Sequence, residues 1–201
     1  MTDQLEIEAR LLRLDPPRLT AFCAALTERM FPNFALFSRL VEFGDAAQLR
    51  QILNGVWDQL ANSGAKMNFE VQLDKVEANM PELDDFDMYG ASPALDAVVA
   101  LFSTLSCVLE ADASEAVAVA NLSRECVANF IEVTEGDDQM SDEELVRFIN
   151  THEMMLQEEA FQEDVLESLE SASAFNPARV RELRALARNE GFSNIGISDE
   201  D

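Results

Sequence analysis

Ser92-Pro-Ala-Leu-Asp-Ala-Val-Val-Ala-Leu-Phe-Ser-Thr-Leu-Ser-Cys-Val-Leu109 decides the fold class, because as a helix it is apolar nearly all round. Leu95, Val98, Val99, Leu101, Phe102, Leu105 and Val108 leave no continuous polar face, and such a helix belongs in the middle of a fold. Ser92-Pro93 opens it: proline at the first helical position sacrifices only an N–H that has no intrahelical acceptor. Asp96 interrupts the run, and Ala94 to Leu109 is shorter than the ~20 apolar residues of a membrane span. The segment therefore reads as a core helix, and no membrane association is expected.

Helical period and helical punctuation continue in both directions, and strand alternation is scarce. Asp112 with Glu115 reads as a capping box over Val117, Leu122, Val127, Phe130 and Ile131, the expected partner of the apolar helix. Upstream, Asp15-Pro16 starts a helix carrying Leu19, Phe22, Cys23, Leu26 and Met30. Pro32 is expected to open a separate helix through Phe34, Phe37 and Leu40, ending near Phe43-Gly44. Asp45 caps the stripe Leu49, Ile52, Leu53, Val56, Trp57, Leu60, with Gly64 after it. Asn68 starts a helix that Pro81 stops. Downstream, Ser141 with Glu144 makes a second capping box. Asn150 with Glu153 can cap the segment bearing Met154, Phe161, Val165, Leu169 and Ala172. Asn176-Pro177 begins the last helix, with Val180, Leu183 and Leu186, which ends at Gly191. The expectation is an all-α, single-domain, irregular helical bundle over 1–201. It has about eight or nine helices, an apolar central helix pair and an extended C-terminal tail at 192–201.

Of 201 residues 48% are apolar, enough to bury a core and too many for a disordered chain. Charge is the outlier: 39 acidic against 14 basic residues give a net charge of −25. That field repels phosphate backbones and anionic lipid surfaces, so neither nucleic acid nor membrane is an expected partner. It favours solubility and fast association with basic partners, and the same charge also reads simply as a well-solvated acidic surface. From Glu132 to Glu170 the chain carries fourteen carboxylates and one arginine, Arg147. The last helix carries Arg179, Arg181, Arg184 and Arg188, and the simplest expectation docks it near the acidic segment. Three scattered cysteines, Cys23, Cys107 and Cys126, suit packed thiols in a reducing cytoplasm better than disulfides. The N-terminal MTDQLEIEAR has no secretory signal character.

Equipment for catalysis is sparse. His152 is the single histidine, and Leu156 occupies the place of a second zincin ligand. Glu-x-x-His pairs for a di-iron site and a phosphate-cradling Gly-rich loop are missing, so no cofactor is expected. Carboxylate pairs such as Glu167 with Glu170 and Glu135 with Asp138 are fragments of a magnesium-dependent hydrolase pattern. Asp85, Asp87, Gly90 and Asp96 fall at positions 1, 3, 6 and 12 of a calcium loop. Tyr89 replaces the donor at position 5, and Asp replaces bidentate Glu at 12. The same aspartates also read as helix caps and loop anchors. If there is a binding surface, the polar residues near helix ends are the candidates: Lys66, Asn68, Asp84, Asp85, Asp87 and Tyr89.

Several stretches resemble one family. They are Phe31-Pro-Asn-Phe34 with Phe43-Gly-Asp45, and Lys66-Met-Asn-Phe69 with Gln72-Leu-Asp-Lys75. Asp84-Asp-Phe-Asp-Met-Tyr-Gly90 with Pro93-Ala-Leu-Asp-Ala97, Met140-Ser-Asp-Glu-Glu-Leu145 and Ser193-Asn-Ile-Gly-Ile197 complete the set. In this order they are similar to the YjaG-like bacterial family, domain of unknown function number four-sixteen. The resemblance implies a small helical cytosolic protein with no established activity, cofactor or catalytic residue, and a genomic association with histidine kinases. Together these readings favour a non-enzymatic protein-interaction or regulatory module, monomeric or homodimeric. A carboxylate-based magnesium or calcium enzyme, or small-ligand binder, at Asp84–Asp96 is the alternative. A nucleic-acid mimic is a third; it requires that the acidic segment is not covered by the Arg179–Arg188 helix.

Overall fold

In the computed structural model, which describes residues 4–137, 139–170 and 175–199, the N-caps fall where short polar side chains precede apolar periodicity. Nine α-helices form among the described residues: α1 (Gln4–Leu11), α2 (Pro16–Val41), α3 (Ala46–Leu60), α4 (Phe69–Glu77), α5 (Ala91–Leu109), α6 (Ala113–Glu135), α7 (Asp142–Thr151), α8 (Glu153–Glu170) and α9 (Pro177–Arg188). Asp15, Asp45, Asn68, Asp112, Ser141 and Asn176 each accept a hydrogen bond from a backbone N–H of the first turn, which satisfies a donor with no intrahelical partner. The reciprocal box at Ser141 and Glu144 is present. Asp112 instead caps through Ser114 N alone. At α8 the cap is His152, whose Nδ1 accepts from Met154 N at 3.2 Å, in place of the expected Asn150. Ala172 lies outside the described residues.

The largest departure from expectation is Pro32. It starts no helix; α2 runs through it from Pro16 to Val41. An interior proline removes one hydrogen bond and costs about 3 kcal/mol. Here the cost is outweighed because both halves of α2 are buried. Leu19 to Phe31 are thirteen consecutive buried residues, and Asn33, Phe34, Ala35 and Phe37 continue the buried surface beyond the proline. Packing of this length against α3, α5, α6, α8 and α9 makes one helix cheaper than two.

α5 lies at the centre, as its apolar girth requires, and both α2 and α6 pack on it and on each other. α2 and α5 pack on each other and both carry buried small side chains, Ala21, Ala24 and Ala25 on one and Ala94, Ala97 and Ala100 on the other, which suit closely packed helices. Polar groups in that seam are paired. Thr27 Oγ1 meets Thr104 Oγ1 at 2.9 Å, and Thr20 Oγ1 donates to the Cys107 carbonyl at 3.2 Å. By length and composition alone α5 could cross a membrane, but ten of its residues are buried inside this fold.

α1, unannounced by its polar sequence, is fastened at a distance. Ile7 and Leu11 are buried, and Arg10 Nη1 and Nη2 reach Glu163 and Glu170 of α8 at 2.7 and 2.8 Å. The chain end corrects a second expectation. Residues 192–199 are no extended tail; they fold into a turn closed by a Phe192–Ser198 bridge, with Gly196 at φ 73°. Ser193, Asn194 and Ile195 are buried because Asn194 completes a polar network: it accepts from Asn33 Nδ2 at 3.0 Å and donates to Ser123.

Candidate functional site

Of the six residues proposed from sequence, Asn68 is the N-cap of α4 and Lys66 is exposed in the loop before it. Asp84 and Asp85 sit in a one-turn 3-10 helix, Leu83–Asp85, and are exposed, as is Asp87. Tyr89 is half-buried with its ring 6.0 Å from Phe130, and burial raises its phenol above the ordinary range. Asp96 lies close enough to Cys126 and Tyr89 to feel both, and burial pushes its carboxyl up to about 6. The structure thus brings Tyr89 and Asp96 together. No hydrogen bond or ion pair among the described residues joins Lys66 and Asn68 to the aspartates.

The calcium-loop arrangement is not formed. α5 begins at Ala91, so the second half of that loop is helix, while Asp96 turns toward Cys126 and away from solvent-exposed Asp85 and Asp87. Among the described residues no group of three or more His, Cys, Asp or Glu side chains could hold a metal ion. Glu170 is engaged by Arg10 instead of a metal partner, and Asp138 lies outside the described residues.

The basic helix corrects the third expectation. α9 does not cover the acidic segment; it packs on α2 and α3, and two of its arginines, Arg184 and Arg188, reach one buried carboxylate, Glu28 of α2. Glu28 is 2% exposed. Arg50 Nη1 donates to its Oε1 at 2.6 Å, and the only tryptophan, Trp57, donates Nε1 to its Oε2 at 2.8 Å. Arg188 Nε reaches Oε1 at 3.3 Å, and Arg184 Nε stands 3.7 Å from Oε2 while its Nη2 donates to Asn54. The physical reason is desolvation: a carboxylate in the core must be paired, whereas exposed carboxylates are satisfied by water. Sequence reading missed Glu28. Its signal was a charged pair, Glu28-Arg29, on the buried stripe between Ala24-Ala25-Leu26 and Met30-Phe31. Beside Glu28 opens a cleft of about 670 Å³ between α2, α3 and the turn after α9.

The acidic segment divides into an inner and an outer set. Inside, Glu158 is fully buried and accepts from Ser123 Oγ at 2.7 Å and Gln162 Nε2 at 2.8 Å, with Arg29 Nε at 3.6 Å; burial raises its carboxyl above the usual range. Arg29 itself lies over the Phe161 ring at 4.3 Å. Arg124 holds Glu159 at 2.6 Å. Outside, Glu132, Glu135, Asp137, Asp142, Glu143, Glu144, Glu153, Asp164 and Glu167 are exposed. Among them sits α7, which packs on α6 and α8 yet has no buried residue. Its Leu145, Phe148 and Ile149 are half-covered and Val146 is 57% exposed; Val133 near the end of α6 and Leu156 near the start of α8 are exposed too.

These features define an all-helical protein with a cleft lined by both guanidiniums and carboxylates on one side and an acidic amphipathic face on another. The chain belongs to the family described as "Protein of unknown function (DUF416)", which matches residues 6–198. It is 38% identical over 196 residues to the uncharacterized protein YjaG of Salmonella typhimurium, covering 97% of each chain. It is 39% identical to the uncharacterized YjaG of Escherichia coli K12, covering 96% of this chain and 97% of that one. An uncharacterized protein of Haemophilus influenzae is 34% identical, covering 95% of this chain and 96% of that one. Among solved structures, the 1.91 Å crystal structure of a DUF416 family protein from Shewanella baltica is similar with a TM-score of 0.86. It is 38% identical, and the match covers 95% of this chain and 97% of that one.

Proposed function

We propose that this protein is a non-enzymatic interaction or regulatory module of the cytoplasm, and that its working face is built from the end of α6, α7 and the start of α8. The observation that carries this reading is α7. A helix with a strongly sided sequence normally hides its apolar side, but here Leu145, Phe148 and Ile149 are only half covered and no residue is buried. Carboxylates ring them: Asp142, Glu143 and Glu144 on α7, with Glu132, Glu135 and Glu153 on its neighbours. That chemistry fits a basic amphipathic segment of another protein, its cations steered by the field of −25 and its apolar side chains laid against Val146 and Val133. Two copies of such a face repel, which disfavours a homodimer through it. Buried free thiols at Cys23, Cys107 and Cys126 suit a reducing compartment.

A photo-crosslinking residue at position 146, with a matched control at exposed Leu40, tests the face in native bacterial lysate. A protein crosslinked at 146 and not at 40, retained at high salt and lost in Val133→Asp, is the expected result. If crosslinking at 146 yields no partner, or one indifferent to Val133→Asp, the reading fails.

A further inference from the structure

Two of the three cysteines meet in the α2–α5 seam. Cys23 of α2 and Cys107 of α5 are buried and free, and their thiols share a hydrogen bond. Cys126 stands apart, in contact with Asp96, Asn33 and Asn194. Packing alone would give two buried thiols the same character. These two are opposites.

Donors converge on Cys107. Its sulfur accepts from the Cys23 thiol and from the backbone N–H of Asp112, the N-cap of α6, and Thr20 Oγ1 stands 3.8 Å away. These bonds, that of Cys23 first, lower the Cys107 thiol to about 7 against burial and the charge of Glu115. Cys23 is pushed up, by the same hydrogen bond first and then by burial. One sulfur is therefore the ready thiolate while the other keeps its proton, the division that an attacking thiol and a resolving thiol need.

Cys107 also has access that Cys23 lacks. It lines a cavity of about 380 Å³ between the start of α2 and the ends of α3 and α5, with Gln59 and Asn62 as polar groups on the wall. Pro16 and Pro17 bring the N-terminus of α2 to the same cavity, where the helix dipole favours an anion. Cys107 is 1% exposed, which bars bulky reagents until the seam opens. A hydroperoxide is little larger than a water molecule, and the cavity has room for it.

We propose that Cys107 and Cys23 are a redox pair that reduces a small hydroperoxide, such as hydrogen peroxide, and joins α2 to α5 by a reversible disulfide. The Cys107 thiolate attacks one peroxide oxygen. An S–O bond forms, the O–O bond breaks, and the departing hydroxide takes up the proton that Cys107 released, as water. Cys107 is then a sulfenic acid. The Cys23 sulfur attacks it; an S–S bond forms, the S–O bond breaks, and hydroxide leaves with the Cys23 proton as a second water. Two thiols and one hydrogen peroxide thus give one disulfide and two waters. Two equivalents of a small thiol such as glutathione return the pair to its reduced form by exchange and leave as their own disulfide. This reading does not rest on the α7 face.

The reduced full chain is treated with a few equivalents of hydrogen peroxide and its peptides are mapped without reductant. The expected product is a Cys23–Cys107 disulfide within one chain, formed about tenfold or more faster than any oxidation of Cys126 and reversed by glutathione. Cys23→Ser is expected to stop at the sulfenic acid, captured on Cys107 by dimedone, and Cys107→Ser to leave Cys23 unoxidised. The parent chain decides even where a variant fails to fold. Oxidation of Cys126 as fast as Cys107, a disulfide between chains, or Cys107 sulfinic acid with Cys23 still reduced overturns the proposal. So does a chain that keeps all three thiols.

Discussion

Replacing Glu28 by Gln tests whether the buried carboxylate organises the junction of α2, α3 and α9. The amide keeps the size of the side chain and one acceptor for Trp57, but removes the charge that three guanidiniums share. Breaking a buried ion pair by removing one partner typically costs 3–5 kcal/mol. Here the arginine side chains are 31%, 21% and 57% exposed, so water relieves part of their loss, and Arg188 contributes little. The lower end, about 3 kcal/mol, is expected. In urea unfolding that lowers the midpoint by roughly 1.5 M at an m-value of ~2 kcal/mol/M. Trp57 is the only tryptophan, is 2% exposed and touches the substituted group, so its emission reports the transition directly. Removing Arg184 as well, as Glu28→Gln/Arg184→Met, relieves guanidinium repulsion and should recover roughly 1–2 kcal/mol, a non-additive result. Stability of Glu28→Gln within about 0.5 kcal/mol of the parent, or simple additivity in the double variant, would refute this account.

Three other outcomes follow from named groups. Asp96 keeps its proton up to about pH 6 when folded but loses it near the ordinary aspartate value when unfolded. Between those values the unfolded state binds fewer protons, so stability falls as pH rises from about 4 to about 6, by about 3 kcal/mol. Asp96→Asn should lack that slope in unfolding curves at pH 4, 5, 6 and 7, and parallel curves would contradict it. Cys107 lines a pocket of about 380 Å³, and its thiol is lowered to about 7, chiefly by the neighbouring Cys23 thiol and in part by Thr20. Cys107 is 1% exposed, so reaction waits on opening of that pocket. Peptide mapping over a timed iodoacetamide treatment should still find Cys107 modified before Cys23 and Cys126, whose thiols are pushed up, and labelling in another order speaks against it. Ser141→Ala removes the capping box from a helix with no buried residue. Amide exchange should therefore quicken roughly severalfold in α7 while the global melting temperature barely moves; a cooperative loss of the whole fold would show α7 to be integral.

What was legible in the sequence was local. Asp15, Asp45, Asn68, Ser141 and Asn176 announce helix starts because a cap acts within three residues of itself. The apolar girth of Ala91–Leu109 announces its depth for the same reason. Pro32 misleads because its local preference for a break is overruled by burial on both sides. α1 stays hidden because its anchors, Glu163 and Glu170, lie more than 150 positions away. α9 goes to Glu28 and not to the acidic segment because the environment of a charge outweighs the quantity of charge. Fourteen carboxylates in Glu132–Glu170 attract less strongly than one that has lost its water. Reading the region Asp84–Asp96 as a cation loop failed on the position of the α5 start, since helix geometry from Ala91 onward carries Asp96 inward.

Long-range fastening of α2 has a consequence for how the protein is made. Glu28 awaits Arg184 and Arg188, Asn33 awaits Asn194 and Arg29 awaits Glu158. Arg188 emerges 160 residues after Glu28. At ribosomal rates of roughly 5–20 residues per second, that interval is on the order of 8–30 s. Through most of it the nascent chain holds a helix, Leu19 to Phe31, in which Glu28 has met only Arg50 and Trp57 and Arg29 still lacks Glu158. Completion of the α2 contacts during synthesis therefore waits until Arg184, Arg188 and Asn194 have emerged. A chain that stops before Arg184 leaves Glu28 and Asn33 of its longest helix without these partners and is a ready substrate for chaperones and proteases.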